Sequence, residues 1–153
     1  MASYLRQIAD ALAASLNTVS WGVTPVTIER KNWASVDIEG MANPLIYVTP
    51  GTADVQRIGR RESQIDYVVN VWIGRHVSTD QEVDDMLDLA GEVLLQIRAH
   101  EYADVEEWPA GVTSPQTSSI EINPDDALND RNVWRAVITA TYRVLESDNL
   151  PVE

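Results

Sequence analysis

The chain has 153 residues, 44% of them hydrophobic and 23% charged, with 7 Gly and 7 Pro, which is the composition of one ordinary globular domain spanning residues 1–153. Its 24 acids against 11 bases leave a formal charge of -13, the wrong sign for a protein that grips duplex phosphate. The absence of cysteine excludes disulfides, thiolate nucleophiles and Cys-ligated zinc or iron–sulfur sites. No apolar run approaches the roughly 18 residues of a membrane helix. Met1 to Leu12 lacks a basic start followed by an apolar core, so no secretory signal is expected and the chain should stay in the cytosol where it is made.

In chain order, Ser3 can cap a first helix in which Leu5, Ile8, Ala9, Leu12 and Leu16 recur at helical spacing, ending near Asn17. Val23 to Lys31 then alternates, with Val26 and Ile28 against Thr27 and Glu29, as a half-buried strand does, and Pro25 marks an edge or a strand start. Trp33 to Pro44 has no period and reads as a loop. Leu45 to Thr49 is a second strand, and Pro50, Gly51 and Gly59 bracket a polar loop to Ser63 that holds Arg57, Arg60 and Arg61. In the next strand Ile65, Tyr67, Val69, Val71 and Ile73 share one face. Thr79 and Glu82 form a capping box ahead of a second helix of about 30 Å at 1.5 Å per residue. Its apolar stripe is Val83, Met86, Leu87, Ala90, Leu94 and Ile97. After a polar loop from Ala103 to Pro115, Gln116 to Ile122 is a strand with Ile120 and Ile122 inward, and Asn123 to Asn132 is a turn-rich connection. The last strand places Trp134, Ala136, Ile138, Ala140, Tyr142 and Val144 on one face, and the polar tail from Glu146 is expected to fray. The order helix, strand, strand, strand, helix, strand, strand predicts an α+β fold. In it a mainly antiparallel sheet of about five strands carries two amphipathic helices on one face. Val68, Trp72 and Val137 leave the other face mixed.

Charge is unevenly spread. Thr79 to Glu107 holds ten acids and one base, so -9 of the -13 lies there, whereas ten of the 11 bases in the chain are arginines. Arginine suits planar pairing with carboxylates at interfaces. Arg57, Arg60 and Arg61 against Asp84, Asp85, Asp88 and Glu92 are therefore the candidate contact between copies, with solvated surface charge as the alternative.

Chemistry is sparse. His76 reads as a surface turn residue, and His100 opens a His, Glu, Tyr, Ala, Asp run that lacks the second histidine of a zinc-protease helix. Asp84, Asp85 and Asp88 suit a solvated helix start better than a cation site. Asn123, Asp125, Asp126, Asn129 and Asp130 lack the glycine and bidentate glutamate of a calcium loop. No phosphate-binding glycine loop or nucleophile elbow occurs. No catalytic, cofactor-binding or metal residue is expected, and no cofactor.

The segments "LIYVTP", "RIGRRES", "IDYVVNVWIG", "STDQEVDDMLDLAGEVLLQI" and "NVWRAVITATYRVL", in this order behind an amphipathic helix, resemble the small tail-terminator and neck proteins of tailed bacteriophages over nearly the whole chain. The resemblance implies a structural virion protein assembled in the host bacterial cytoplasm. Copies would form a homo-oligomeric ring, a hexamer in that family, that caps the tail tube and joins it to the head-tail connector proteins. DNA would pass through without tight binding, which the acidic charge favours. A head-tail connector or stopper of the same neck is the neighbouring reading. From other classes, a small α+β enzyme or ligand-binding domain would place its site on the open sheet face near Trp72 and Tyr67, and a nucleic-acid mimic would use the acidic helix against a basic protein.

Overall fold

The computed structural model describes residues 3–22, 25–32, 43–98, 112, 115, 117–122 and 132–147. The elements are α1 (Tyr4–Leu16), β1 (Thr27–Arg30), β2 (Leu45–Arg57), β3 (Glu62–His76), α2 (Asp80–Arg98), β4 (Thr117–Ile122) and β5 (Val133–Ser147). The expected loops at Trp33 to Pro44, Ala103 to Pro115 and Asn123 to Asn132 fall largely outside the described residues, as do His100 and the chain beyond Ser147. The five strands form one sheet in the order β1-β2-β3-β5-β4. β1 and β2 are parallel and the other three pairs antiparallel, so the fold is the expected α+β arrangement. The one parallel pair is separated by residues 31–44, a connection of the length such a crossover needs.

Strand alternation decides which face receives the helices. In β3, Ile65, Tyr67, Val69, Val71 and Ile73 are buried while their even-numbered neighbours are half-buried. In β5, Trp134, Ala136, Ile138, Ala140, Tyr142 and Val144 are buried on the same side, since Val71 pairs with Ile138 and Ile73 with Ala136. Ile120 of β4 joins this face opposite Ile138; Ile122 shares it but is 43% exposed at the sheet edge. α1 packs over β1, β2 and β3, and α2 over β3, β5 and β4, so two helices cover one face between them.

Both helices start where capping chemistry directs. The Ser3 hydroxyl accepts from the Arg6 N–H at 3.2 Å, satisfying one orphan donor of α1. The Thr79 hydroxyl accepts from the Glu82 N–H at 3.2 Å, and the Glu82 carboxylate reaches back to the Ser78 N–H at 2.9 Å, one residue beyond the usual capping-box partner. Arg30 fastens β1 to α1: its Nε donates to Asp10 Oδ1 at 2.7 Å and its Nη1 to Asn32 Oδ1 at 2.7 Å.

Three expectations are corrected. The polar stretch after Thr49 is not a loop, because β2 runs on to Arg57 and pairs with β3 down to Arg57↔Ser63, leaving only Ile58 to Arg61 as the connection. Backbone pairing holds this arm although almost every side chain on it is exposed. The polar tail from Glu146 starts within the sheet, with Glu146 opposite Ser63 and Ser147 opposite Glu62. In α2 the buried stripe is Met86, Leu89, Ala90, Val93 and Ile97, whereas Leu87 is 39% exposed. Leu89 and Val93 extend the Met86, Ala90 and Ile97 face on the side away from Leu87, so centring the buried face on them turns Leu87 toward solvent.

Candidate functional site

A small-molecule site on the outer sheet face would need Trp72 and Tyr67 on the same side, and the structure divides them. Tyr67 lies on the helix-covered face, its ring centroid 5.9 Å from that of Tyr4. Trp72 lies on the outer face, because an offset of five residues along a strand reverses the side. They cannot line one site. On the outer face Trp72 Nε1 donates to Thr49 Oγ1 at 3.2 Å, and Arg135 stacks over the indole with its guanidinium 5.5 Å from the ring centroid. Thr139 Oγ1 donates to Asn70 Oδ1 at 3.3 Å. Arg143 Nε donates to Asp66 Oδ1 at 2.9 Å and Nη2 to Oδ2 at 3.3 Å, and this hydrogen bond holds the Asp66 carboxyl below the usual carboxylate range. These side chains partner one another across strands and form a satisfied ladder rather than a set of groups converging on a ligand.

A cleft of about 530 Å³ opens at the start of α2 between Val77, Ser78, Thr79, Asp80, Val83 and Asn132. Its hydroxyls are committed to the cap, with Thr79 accepting from Glu82 N–H and Ser78 Oγ 3.4 Å from the Glu82 carboxylate. His76 is the last, half-buried residue of β3 and not part of the turn. Among the described residues, no three His, Asp or Glu side chains are grouped to hold a metal ion. The Asn123 to Asp130 run lies outside them.

The charged surfaces are the better-defined features. β2 and β3, with β5 still paired to β3 as far as Glu62↔Ser147, extend past the helices as an arm whose residues from Gly51 to Glu62 are all exposed. At its tip the Ile58 and Gly59 N–H groups both donate to the Glu62 carbonyl, and Arg57 folds back so that its Nε donates to Gly59 O at 3.2 Å and its Nη2 to Arg60 O at 3.0 Å. Arg57 thus braces the turn that carries Arg60 and Arg61. Val55 and Ile58, 68% and 47% exposed, accompany the arginines. The arm begins to project at Gly51, where two residues of β2 oppose one of β3 in a bulge between Pro50 and Ala53.

The acids of α2 lie at the other end of β3. Asp84, Asp88 and Glu92 follow one another at i, i+4 and i+8 and are exposed; Asp85 is half-buried and accepts from Gln81 Nε2 at 3.0 Å. Glu92 accepts from the Gly22 N–H at 3.2 Å, which ties the turn after α1 to the middle of α2. Fourteen residue steps of β3, about 46 Å of strand at roughly 3.3 Å per step, lie between Glu62 at the arm's tip and His76, after which the chain leads into α2. The arginine and acidic sets are therefore not brought together within one chain.

Sequence reasoning missed the arm itself and the exposed apolar residues at its tip. The only local signal was a strand-compatible run, Thr52 to Gln56, behind a glycine. Among the described residues no helix is long and apolar enough to cross a membrane. No protein-family model matches the chain and no curated protein matches it. Among solved structures, a chain from the "Virion of native gene transfer agent (GTA) particle" is similar at 12% identity with a TM-score of 0.42, covering 88% of this chain and 84% of that one.

Proposed function

We propose that this protein is a structural virion component, a tail terminator whose copies form a ring that caps a phage tail tube and joins it to the head-tail connector proteins. The observation that carries this reading is the placement of two unlike, oppositely charged surfaces at opposite ends of β3: the arm with Arg57, Arg60 and Arg61, and the α2 face with Asp84, Asp85, Asp88 and Glu92. Unlike patches that complement each other make head-to-tail contacts, and these close into rings when the rotation per copy allows. The net charge of -13 suits a channel through which DNA passes without being held. The outer sheet face, with its polar groups paired among themselves, offers an enzyme reading no converging nucleophile and base.

The test is light scattering over a concentration series with negative-stain images, followed by binding to purified tail tubes. Six-fold rings that cap tube ends are the expected result. The double variant Arg60→Glu with Arg61→Glu should keep a wild-type urea midpoint and lose the rings. A monomer at every concentration that tail tubes also fail to recruit overturns the reading, and rings that bind connectors but not tubes reassign it to a stopper.

A further inference from the structure

The outward surface of α2 carries a feature that its role in the monomer does not explain. Leu87, Gly91 and Leu95 form one i, i+4, i+8 ridge, and the acidic ridge Asp84, Asp88, Glu92 runs directly beside it. Leu87 is 39% exposed and Leu95 63% exposed. A Cβ added at Gly91 would meet nothing within 4 Å, so no packing inside the chain requires a glycine there. Glycine in a helix interior weakens the helix. The result is a notch between two exposed leucines, about 12 Å apart along the axis at 1.5 Å per residue, bordered on one side by carboxylates.

From these contacts we infer that the notch at Gly91 is the seat for the β2–β3 arm of a second copy, with Ile58 entering between Leu87 and Leu95, Val55 covering the ridge beside it, and Arg60 and Arg61 facing the acidic ridge. The arm is the complement in both respects. It presents the large exposed apolar residues Val55 and Ile58, and residues 54–62 carry three arginines against Asp54 and Glu62. α2 from Asp80 to Arg98 carries six acids against one arginine. The arm of the same chain cannot reach this seat, since it continues the sheet and the ridge points away from the sheet that α2 covers. An apolar centre rimmed by opposite charge is the usual anatomy of a specific protein contact. The inference rests on the self-assembly reading above and gives it a site.

Because the chain has no cysteine, single thiols report the contact cleanly. Ile58→Cys and Leu95→Cys proteins are mixed and treated with a short bis-maleimide, with Ile58→Cys plus Leu145→Cys as the control pair; Leu145 is exposed on β5 opposite Gln64, beside the arm and off the α2 seat. The expected result is a cross-linked dimer at least tenfold above the control, lost when Gly91→Leu is added to the Leu95→Cys protein. Gly91→Leu fills the notch and improves helix propensity, so its urea midpoint should rise while docking falls, which separates a blocked seat from a damaged fold. Oligomers that scatter light yet give no cross-link above control overturn the seat and leave ring assembly standing. A specific cross-link in particles that never cap tail tubes upholds the seat and removes the terminator reading. Absence of both oligomers and cross-links overturns the seat, with tube recruitment then deciding the terminator reading by itself.

Discussion

Replacing Gly51 by alanine tests whether the bulge that launches the arm is sterically specified. Between Pro50↔Val69 and Ala53↔Tyr67, Gly51 and Thr52 oppose Val68 alone, and a Cβ on Gly51 would lie 2.6 Å from the Val68 carbonyl oxygen and 3.3 Å from Asn70 Nδ2. Carbon–oxygen contacts between strands close to about 3.3 Å, so roughly 0.7 Å must come from the paired backbones of β2 and β3. The obstacle is backbone and cannot rotate away. Overpacking of this kind costs about 1 to 3 kcal/mol. The reduced freedom of the unfolded chain returns about 0.4 to 1 kcal/mol. At mid-range values the net loss is about 1.3 kcal/mol, or a fall in Tm of about 3 to 5 °C at this length. Urea denaturation should show a lower midpoint with an unchanged m-value. Gly91→Ala is the control, expected to gain about 0.5 to 1 kcal/mol because its Cβ meets open space. A Gly51→Ala protein at or above the wild-type midpoint refutes the steric account of the bulge.

Two further outcomes follow from the core and the outer face. Ile138 is fully buried at the centre of β5 opposite Val71, so Ile138→Ala should lower unfolding stability by about 2 to 5 kcal/mol, read from urea midpoints. Asp66 is held ionised by Arg143, so its folded pKa lies below the unfolded value: the stabilisation is complete above the unfolded pKa and is lost as pH falls through the folded one. The advantage of wild type over Asp66→Asn should therefore be constant above about pH 5 and shrink below roughly pH 4, and a pH-independent difference would contradict the linkage.

Much of the fold was legible because period 2 and period 3.6 are local properties. The odd-numbered run Ile65 to Ile73 and the even-numbered run Trp134 to Val144 each named its own buried face, and Ser3 and Thr79 each marked a helix start. The arm was not legible, since the alternation of Ala53 and Val55 with Thr52, Asp54 and Gln56 is short and stands behind Pro50 and Gly51, and the run is held as a strand by its pairing with β3 while its side chains stay exposed. In α2 two stripes fit the period, one through Leu87 and one through Leu89 and Val93. Leu89 and Val93 decide between them, because they continue the Met86, Ala90 and Ile97 face on the side away from Leu87, a comparison of whole helix faces that a list of apolar positions does not make. Of the candidate assembly residues, the arginines and acids could be named from charge alone, but the glycine notch needed the knowledge that Gly91 faces open space.

That notch also changes what salt should do. Contacts of arm with arm or of α2 with α2 across a two-fold axis would place Arg60 and Arg61 or Asp84 and Asp88 beside their own copies, so like charge opposes both; the unlike pairing of arm with helix is met by a head-to-tail ring and equally by a two-fold dimer in which each arm occupies the other copy's seat. If the contact were charge alone, raising ionic strength from 0.1 M to 1 M, which shortens the screening length from about 10 Å to about 3 Å, should dissolve it. With Ile58 and Val55 seated between Leu87 and Leu95, the same salt should slow association while leaving part of the affinity, because apolar burial is not screened. Complete loss of the Ile58 to Leu95 cross-link in 1 M salt would therefore assign the contact to the rim of charges and take the apolar seat out of it.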